Sequence, residues 1–203
     1  MTGAIDRRLS GDIASAAKGD EIAFGTIGNA SAAEGLFWET INAIGVLRCP
    51  AIITIYDDGY GISVTNENQI AKENISEILQ GFARPPGECC DGYDIYVVKG
   101  WDYPALLEAY QTAEVVARQD HVPALLHIYE LTQPQGHSTS GSHERYKSEE
   151  RMQFEEEFDC IRKMREWIIE QRIATAGELD QIERNTRKSV ENIRTKLWKN
   201  FSL

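Results

Sequence analysis

The chain reads as an α/β domain built on a parallel sheet in three layers, followed by a helical segment. Three observations carry that reading. Apolar, strand-like runs of five to eight residues alternate with helical stretches from residue 21 to residue 129. The first two runs each end in a glycine-containing polar turn. Beyond residue 147 the pattern is helical only. The expected organisation is therefore an α/β domain over residues 1–147, with a helical segment over 148–203 packing on it.

In order, residues 21–28 (EIAFGTIG) form a mostly buried strand ending at glycine. Residues 31–46 follow as a helix, with Leu36, Phe37, Thr40, Ile41 and Ile44 at helical spacing. Pro50 stops it, and the β-branched run 51–56 (AIITIY) is the second strand. A glycine-rich turn and a short helix over 74–82 come next, then a loop over 83–94. Residues 95–99 (IYVVK) are the third strand, 103–118 a helix and 122–129 (VPALLHIY) the fourth strand. Such alternation implies right-handed crossovers, with ligands beyond the carboxyl ends of the strands. The polar stretch 130–147 is too long for an ordinary connection, which marks it as functional or mobile. Two amphipathic helices close the chain. One runs over 148–171; the other opens at the capping box Thr175-Ala176-Gly177-Glu178, with Leu179, Ile182, Val190, Ile193 and Leu197 expected inward.

The 203 residues suffice for a sizeable core, and the 42% hydrophobic content places the chain among folded proteins. A net charge of −11 argues against a general nucleic-acid or anionic-membrane surface. It does not exclude an anionic cofactor, since a metal ion and backbone N–H groups supply local positive potential. The four cysteines, Cys49, Cys89, Cys90 and Cys160, show no Cys-x-x-Cys spacing, which disfavours a zinc site. Reduced thiols, no signal-like apolar region in residues 1–20 and no membrane-length apolar run lead us to expect a soluble, cytoplasmic protein.

The chemistry concentrates after the first two strands. Asn29 lies in Gly28-Asn29-Ala30-Ser31-Ala32-Ala33-Glu34-Gly35 and Asp58 in Tyr56-Asp57-Asp58-Gly59-Tyr60-Gly61. Both could converge on one hard cation, which takes about six oxygens, commonly one or two from carboxylates and the rest from phosphate and water. Asp58 would give a carboxylate oxygen, Asn29 an amide oxygen and Tyr60 its backbone carbonyl. By spacing alone these are equally ordinary turn and cap residues.

The flanking residues add a resemblance. From Gly28 to Ser63 the chain resembles, without a gap, the thiamine diphosphate motif. More narrowly, it resembles the alpha subunit of the dehydrogenase component of 2-oxoacid dehydrogenase complexes, of pyruvate or branched-chain type. Asp91-Gly92-Tyr93-Asp94 is similar to that family's Asp-Gly-x-Asp, and Gly136-His137-Ser138-Thr139-Ser140 with Tyr146 to its active-site loop. The fold implied is a three-layer parallel sheet of thiamine diphosphate-binding type.

By position, the resemblance implies that Asn29, Asp58 and the Tyr60 carbonyl hold Mg²⁺ on the cofactor diphosphate. Gly28, Ala30, Ser31 and Ile62 would also contact the cofactor. His137 would be the catalytic residue, assisting proton transfer or positioning the 2-oxoacid and the acyl acceptor. Ser138 matches a position phosphorylated in some mitochondrial relatives. The implied reaction is oxidative decarboxylation of a 2-oxoacid with acyl transfer to a lipoyl domain of the acyltransferase component. The implied partner is a beta subunit or fused beta half, within a homo- or hetero-oligomer. That partner brings the glutamate that activates the cofactor.

Several positions depart from the family pattern. The family places its acidic ligand first and its amide second; here they are exchanged. The family's Tyr-Arg before the loop falls on Thr132-Gln133, so a diphosphate-binding cation is lost. The Asp after its Ser-x-Ser falls on Gly141. Only 27 residues precede Gly28, which suggests that part of the family domain is missing; with the activating glutamate on the partner, the chain alone is not expected to turn over. Two alternatives follow: a transketolase-like enzyme, or a catalytically degenerate assembly domain. The turn sequences lie slightly nearer the branched-chain type than the pyruvate type.

Overall fold

A computed structural model describes residues 20–85, 91–137 and 143–201. Cys89, Cys90, Ser138, Thr139, Ser140 and Gly141 lie outside the described residues.

Four parallel strands make the sheet: β1 (Ala23–Gly28), β2 (Ala51–Tyr56), β5 (Asp94–Lys99) and β6 (Ala124–Tyr129), in the order β1-β2-β6-β5. The expected four strands are present, with ends shifted by one or two residues. The central pair carries the most apolar runs, AIITIY and ALLHIY, and each is buried at its first five positions. Burial on both faces is what an internal parallel strand requires. The register sets Thr54 beside Leu126, Ile55 beside His127 and Tyr56 beside Ile128. The carboxyl ends of β1, β2 and β6 are thereby neighbours.

Strand alternation divides the core into two. Ile53, Ile55 and Leu125 face one side, packing with Phe37, Ile41, Ile44, Ile75, Leu79 and Tyr93. Ile52, Ala124, Leu126 and Ile128 face the other, packing with Ala109, Ala113 and Ala117. The three layers expected from sequence follow from this. The helical stretch after β1 is two pieces: a single turn, α1 (Asn29–Ala32), and α2 (Gly35–Leu47), which supplies Phe37, Ile41 and Ile44 to the first core. The sequence reading missed this break. Glu34, at the N-cap of α2, has extended backbone.

Between β2 and β5 lie a two-stranded hairpin, β3 (Tyr60–Gly61) and β4 (Val64–Thr65), and the short helix α3 (Ile75–Leu79). The Asn74 side chain caps α3 by accepting from the N–H groups of Ser76 and Glu77. The loop before β5 is anchored by Arg84, which donates to both oxygens of Asp94 at 2.6 and 2.8 Å. Helix α4 (Tyr103–Gln119) covers the second face. Its alanines at every fourth position bring the helix close to the sheet. Tyr110 on this helix reaches the buried Thr54, hydroxyl to hydroxyl, at 3.0 Å.

The chain divides into two compact units, with the break after Cys160. The helix read over 148–171 is interrupted: α5 (Glu149–Glu157) belongs to the first unit, and α6 begins at Cys160 (Cys160–Glu170). In the second unit, α7 (Ala176–Phe201) opens with the expected capping box. Glu178 accepts from the Thr175 N–H at 2.8 Å, and Thr175 Oγ1 accepts from the Glu178 N–H at 3.3 Å. Arg165 ties α6 to α7 through Asp180 and Glu183. The apolar stripe expected inward on α7 does not face inward in this chain. Ile182, Val190, Ile193 and Leu197 are all exposed, and Leu179 is half-buried. Helical periodicity identifies an apolar face but not what covers it. No helix among the described residues is long and apolar enough to cross a membrane.

The fit of α4 to the sheet is directly testable. Ala113 is fully buried at the middle of the small-residue row. Ala113→Leu should lower stability by about 2 kcal/mol in urea titration, because the helix must back away from the strands. An unchanged midpoint would mean that the helix is not seated as described.

Candidate functional site

Beyond the ends of β1, β2 and β6 is a cavity of about 430 Å³, within the range of small-molecule sites. Gly28, Asn29, Tyr56, Asp58, Leu131, Thr132, Gln133 and His137 line it. Gly28 is the last residue of β1, and nothing lies within 4 Å of where a Cβ would be, so a ligand can approach the backbone there. Ala30 and Ser31 sit in the turn α1, which has no side-chain cap.

Asn29 is buried. Its Nδ2 donates to the Tyr60 carbonyl at 3.1 Å and to Asn66 Oδ1 at 2.8 Å. Asp58 is buried too. Its Oδ1 accepts from the Tyr60 N–H at 3.1 Å, whereas Oδ2 makes no hydrogen bond. His137 Nε2 lies 3.2 Å from that oxygen. The structure therefore brings Gly28, Asn29, Asp58, Tyr60 and His137 together. Ile62 stands apart, 64% exposed at the tip of the β3–β4 hairpin. The hairpin passes so close to α1 that a Cβ on Gly61 would lie 2.8 Å from the Ala30 Cβ. Its two-residue turn needs a positive φ at its first position, and Ile62 supplies it at 61°. A β-branched side chain is strained in that conformation.

The two adjacent aspartates are in opposite electrostatic states. For Asp57, burial pushes the carboxyl up. Hydrogen bonds from His127, Asn66 and the Gly59 N–H outweigh burial and hold it below the usual range. For Asp58, burial dominates and raises the carboxyl above its ordinary value. The Tyr60 N–H and the charges of His137, Lys147 and Arg151 only partly oppose it.

Those two cations were not legible in the sequence. Lys147, whose side chain is fully buried, donates to both oxygens of Glu155 at 2.8 Å and to the Gln133 carbonyl at 3.1 Å. Arg151 donates from Nε to Glu155 and from Nη2 to the carbonyls of Asp58 and Leu131, at 2.8 and 3.1 Å. Both lie over the Tyr60 ring, 5.3 and 5.6 Å from its centre. They brace the Asp58 turn against the segment carrying His137. The sequence offered only one signal, the Ser148 cap that starts α5 and places Arg151 and Glu155 one helical turn apart.

The donor set can be tested against a hard cation. Asp58 Oδ2 is buried and accepts no hydrogen bond, with His137 Nε2 standing 3.2 Å away. The Tyr60 carbonyl has a second lone pair beyond its bond to Asn29, and the Asn29 amide retains its oxygen. That is three oxygens and one negative charge, which suits Mg²⁺ completed by phosphate and water. The exchange of acid and amide leaves both charge and oxygen count intact.

Because Asp58 holds its proton more tightly in the folded chain, stability falls as pH rises from the unfolded to the folded value, where the native state binds more protons. With a chelator present near neutral pH, Asp58→Asn should therefore melt about 3 °C higher than the parent. A lower melting temperature would show that Asp58 is satisfied without a cation.

A family model described as "Dehydrogenase E1 component" matches residues 8–197. The chain is 27% identical over 175 residues to "Pyruvate dehydrogenase E1 component subunit alpha, mitochondrial" of Solanum tuberosum, covering 86% of this chain and 41% of the relative. It is 33% identical over 138 residues to "2-oxoisovalerate dehydrogenase subunit alpha" of Bacillus subtilis (strain 168), covering 67% and 38%. To the Homo sapiens "Pyruvate dehydrogenase E1 component subunit alpha, somatic form, mitochondrial" it is 25% identical over 174 residues, covering 85% and 42%. The chain thus spans about two-fifths of the length of these curated relatives.

Proposed function

Because this chain belongs to the dehydrogenase E1 component family, we propose that it forms the diphosphate-holding part of a thiamine diphosphate-dependent 2-oxoacid dehydrogenase. The reaction is oxidative decarboxylation of a 2-oxoacid, with the acyl group passed to a lipoyl domain of an acyltransferase component. One observation carries the reading. The Asp58 carboxylate oxygen that accepts no hydrogen bond is buried beside Asn29 and the Tyr60 carbonyl, with His137 Nε2 3.2 Å away, in a cavity where three parallel strands end. A buried carboxylate oxygen with no hydrogen bond is costly unless a cation joins it.

In this reading Asp58, Asn29 and the Tyr60 carbonyl hold Mg²⁺, and Gly28 lets the diphosphate approach the backbone. When bound, the cofactor supplies the carbanion chemistry of decarboxylation. His137, whose Nε2 lies 3.2 Å from Asp58 Oδ2 in the same cavity, holds or moves a proton at Nε2 and orients the 2-oxoacid or the acyl acceptor. Lys147 and Arg151 keep Asp58 and the His137 segment in register. A beta subunit or fused beta half completes the site with the glutamate that this chain does not supply. The setting in this reading is cytoplasmic. The substrate is a branched-chain or pyruvate-type 2-oxoacid.

One contact favours a second reading, a domain kept for assembly. The Asn29 Nδ2 already occupies one lone pair of the Tyr60 carbonyl. Calorimetry on the chain assembled with its beta partner separates the two. Mg²⁺-dependent binding of thiamine diphosphate, abolished by Asp58→Ala, supports the enzyme. If neither ligand binds the parent assembly, the assembly reading stands. In the active assembly, His137→Ala should lower lipoamide-dependent turnover about 100-fold while leaving cofactor affinity nearly unchanged. Unaltered turnover would remove His137 from the chemistry. A panel of 2-oxoacids in the same assay identifies the substrate.

A further inference from the structure

The amide at position 29 is the end of a directional chain of hydrogen bonds that starts at a buried carboxylate one residue before the site. Asp57 is an acceptor only. Its Oδ1 accepts from the Gly59 N–H at 2.8 Å, and its Oδ2 faces His127 Nε2 at 2.9 Å. Both oxygens take Asn66 Nδ2 at 3.0 Å. Asn66 therefore has to point its nitrogen at Asp57 and its oxygen away. That oxygen receives Asn29 Nδ2 at 2.8 Å, with Gln69 Nε2 at 3.3 Å. The nitrogen of Asn29 is thus committed to Asn66 and Tyr60, and Oδ1 is the one amide atom left for a ligand.

We propose that Asp57 and Asn66 are positioning residues that fix the polarity of this chain, so that the site accepts an amide, and not a carboxylate, at position 29. A carboxylate there would set oxygen against Asn66 Oδ1 and against the Tyr60 carbonyl, with no donor between. Replacing the acid at 57 by an amide removes the constraint. The Gly59 N–H holds the new amide oxygen, and the new amide nitrogen points at Asn66, which turns over. Asn66 Nδ2 then faces position 29, where a carboxylate is welcome. His127 can follow, because its Nδ1 is buried without a hydrogen bond and can take the proton that Nε2 gives up. The exchange of acid and amide between positions 29 and 58 is thereby tied to the acid at 57 and the histidine at 127.

The inference does not depend on a cation. It is tested on the full chain with a chelator present, so its failure is separate from failure of the metal reading. At alkaline pH, where a carboxylate at 29 is ionised, Asn29→Asp should lower the melting temperature by roughly 5 °C. Adding Asp57→Asn should recover at least half of that loss. A double variant that melts where the two single shifts add would overturn the proposal, since uncoupled sites are additive. If Asn29→Asp fails to fold, nitrogen NMR of His127 still decides. The parent should carry its ring proton on Nε2 and Asp57→Asn should carry it on Nδ1. A proton on Nδ1 in the parent, or no change in the variant, would also overturn the proposal.

Discussion

The site hangs on one buried carboxylate. Asp57 stands where β2 leaves the sheet, and it gathers donors from three places: the Gly59 N–H in the turn, Asn66 beyond the hairpin and His127 on β6. Each bond fixes something different. The first shapes the turn that aims Asp58, the second pins the base of the hairpin, and the third holds that turn against the neighbouring strand. The result is a small polar core set into the end of an apolar sheet. Such a core specifies a unique arrangement only when its members are satisfied, and all four contacts to Asp57 are charge-assisted by the ionised carboxylate.

Asp58 is the counterpart. It is as buried as Asp57 but lacks its donors on one oxygen, so two adjacent residues of the same type differ in kind. One is hydrogen-bonded on both oxygens; the other keeps an oxygen that accepts no hydrogen bond, with His137 Nε2 3.2 Å away. Lys147 and Arg151 stand behind it, but their hydrogen bonds go to Glu155 and to backbone carbonyls rather than to Asp58 Oδ2. They hold the frame without neutralising the ligand. Gln133, where the family pattern has arginine, brings no charge of its own. The positive charge is still near, but it is spent on architecture.

Much of the sheet could be read from the residues. AIITIY and VPALLHIY are almost wholly apolar or β-branched, His127 being the main exception, and such runs have few places to go except the middle of a parallel sheet. The meeting of Asn29 and Asp58 was also legible, because both end neighbouring strands. Other parts were not. Nothing local pairs His127 with Asp57, 70 positions away; the parallel register of β2 and β6 does. The break between α1 and α2 was hidden because Ala32 and Ala33 suit a helix as well as a turn. The stripe on α7 was read correctly as apolar but wrongly as covered, because periodicity contains no information about a neighbour.

The strained hairpin tip has a consequence for anyone who breeds this protein for robustness. Ile62 holds a left-handed backbone that glycine or asparagine would adopt at little cost, while its side chain projects largely into solvent. A screen that rewards heat tolerance alone would discard isoleucine early. A screen that rewards a working cavity would resist that change if the projecting side chain touches cofactor or partner. Heat tolerance and a working cavity thus pull this one position in different directions.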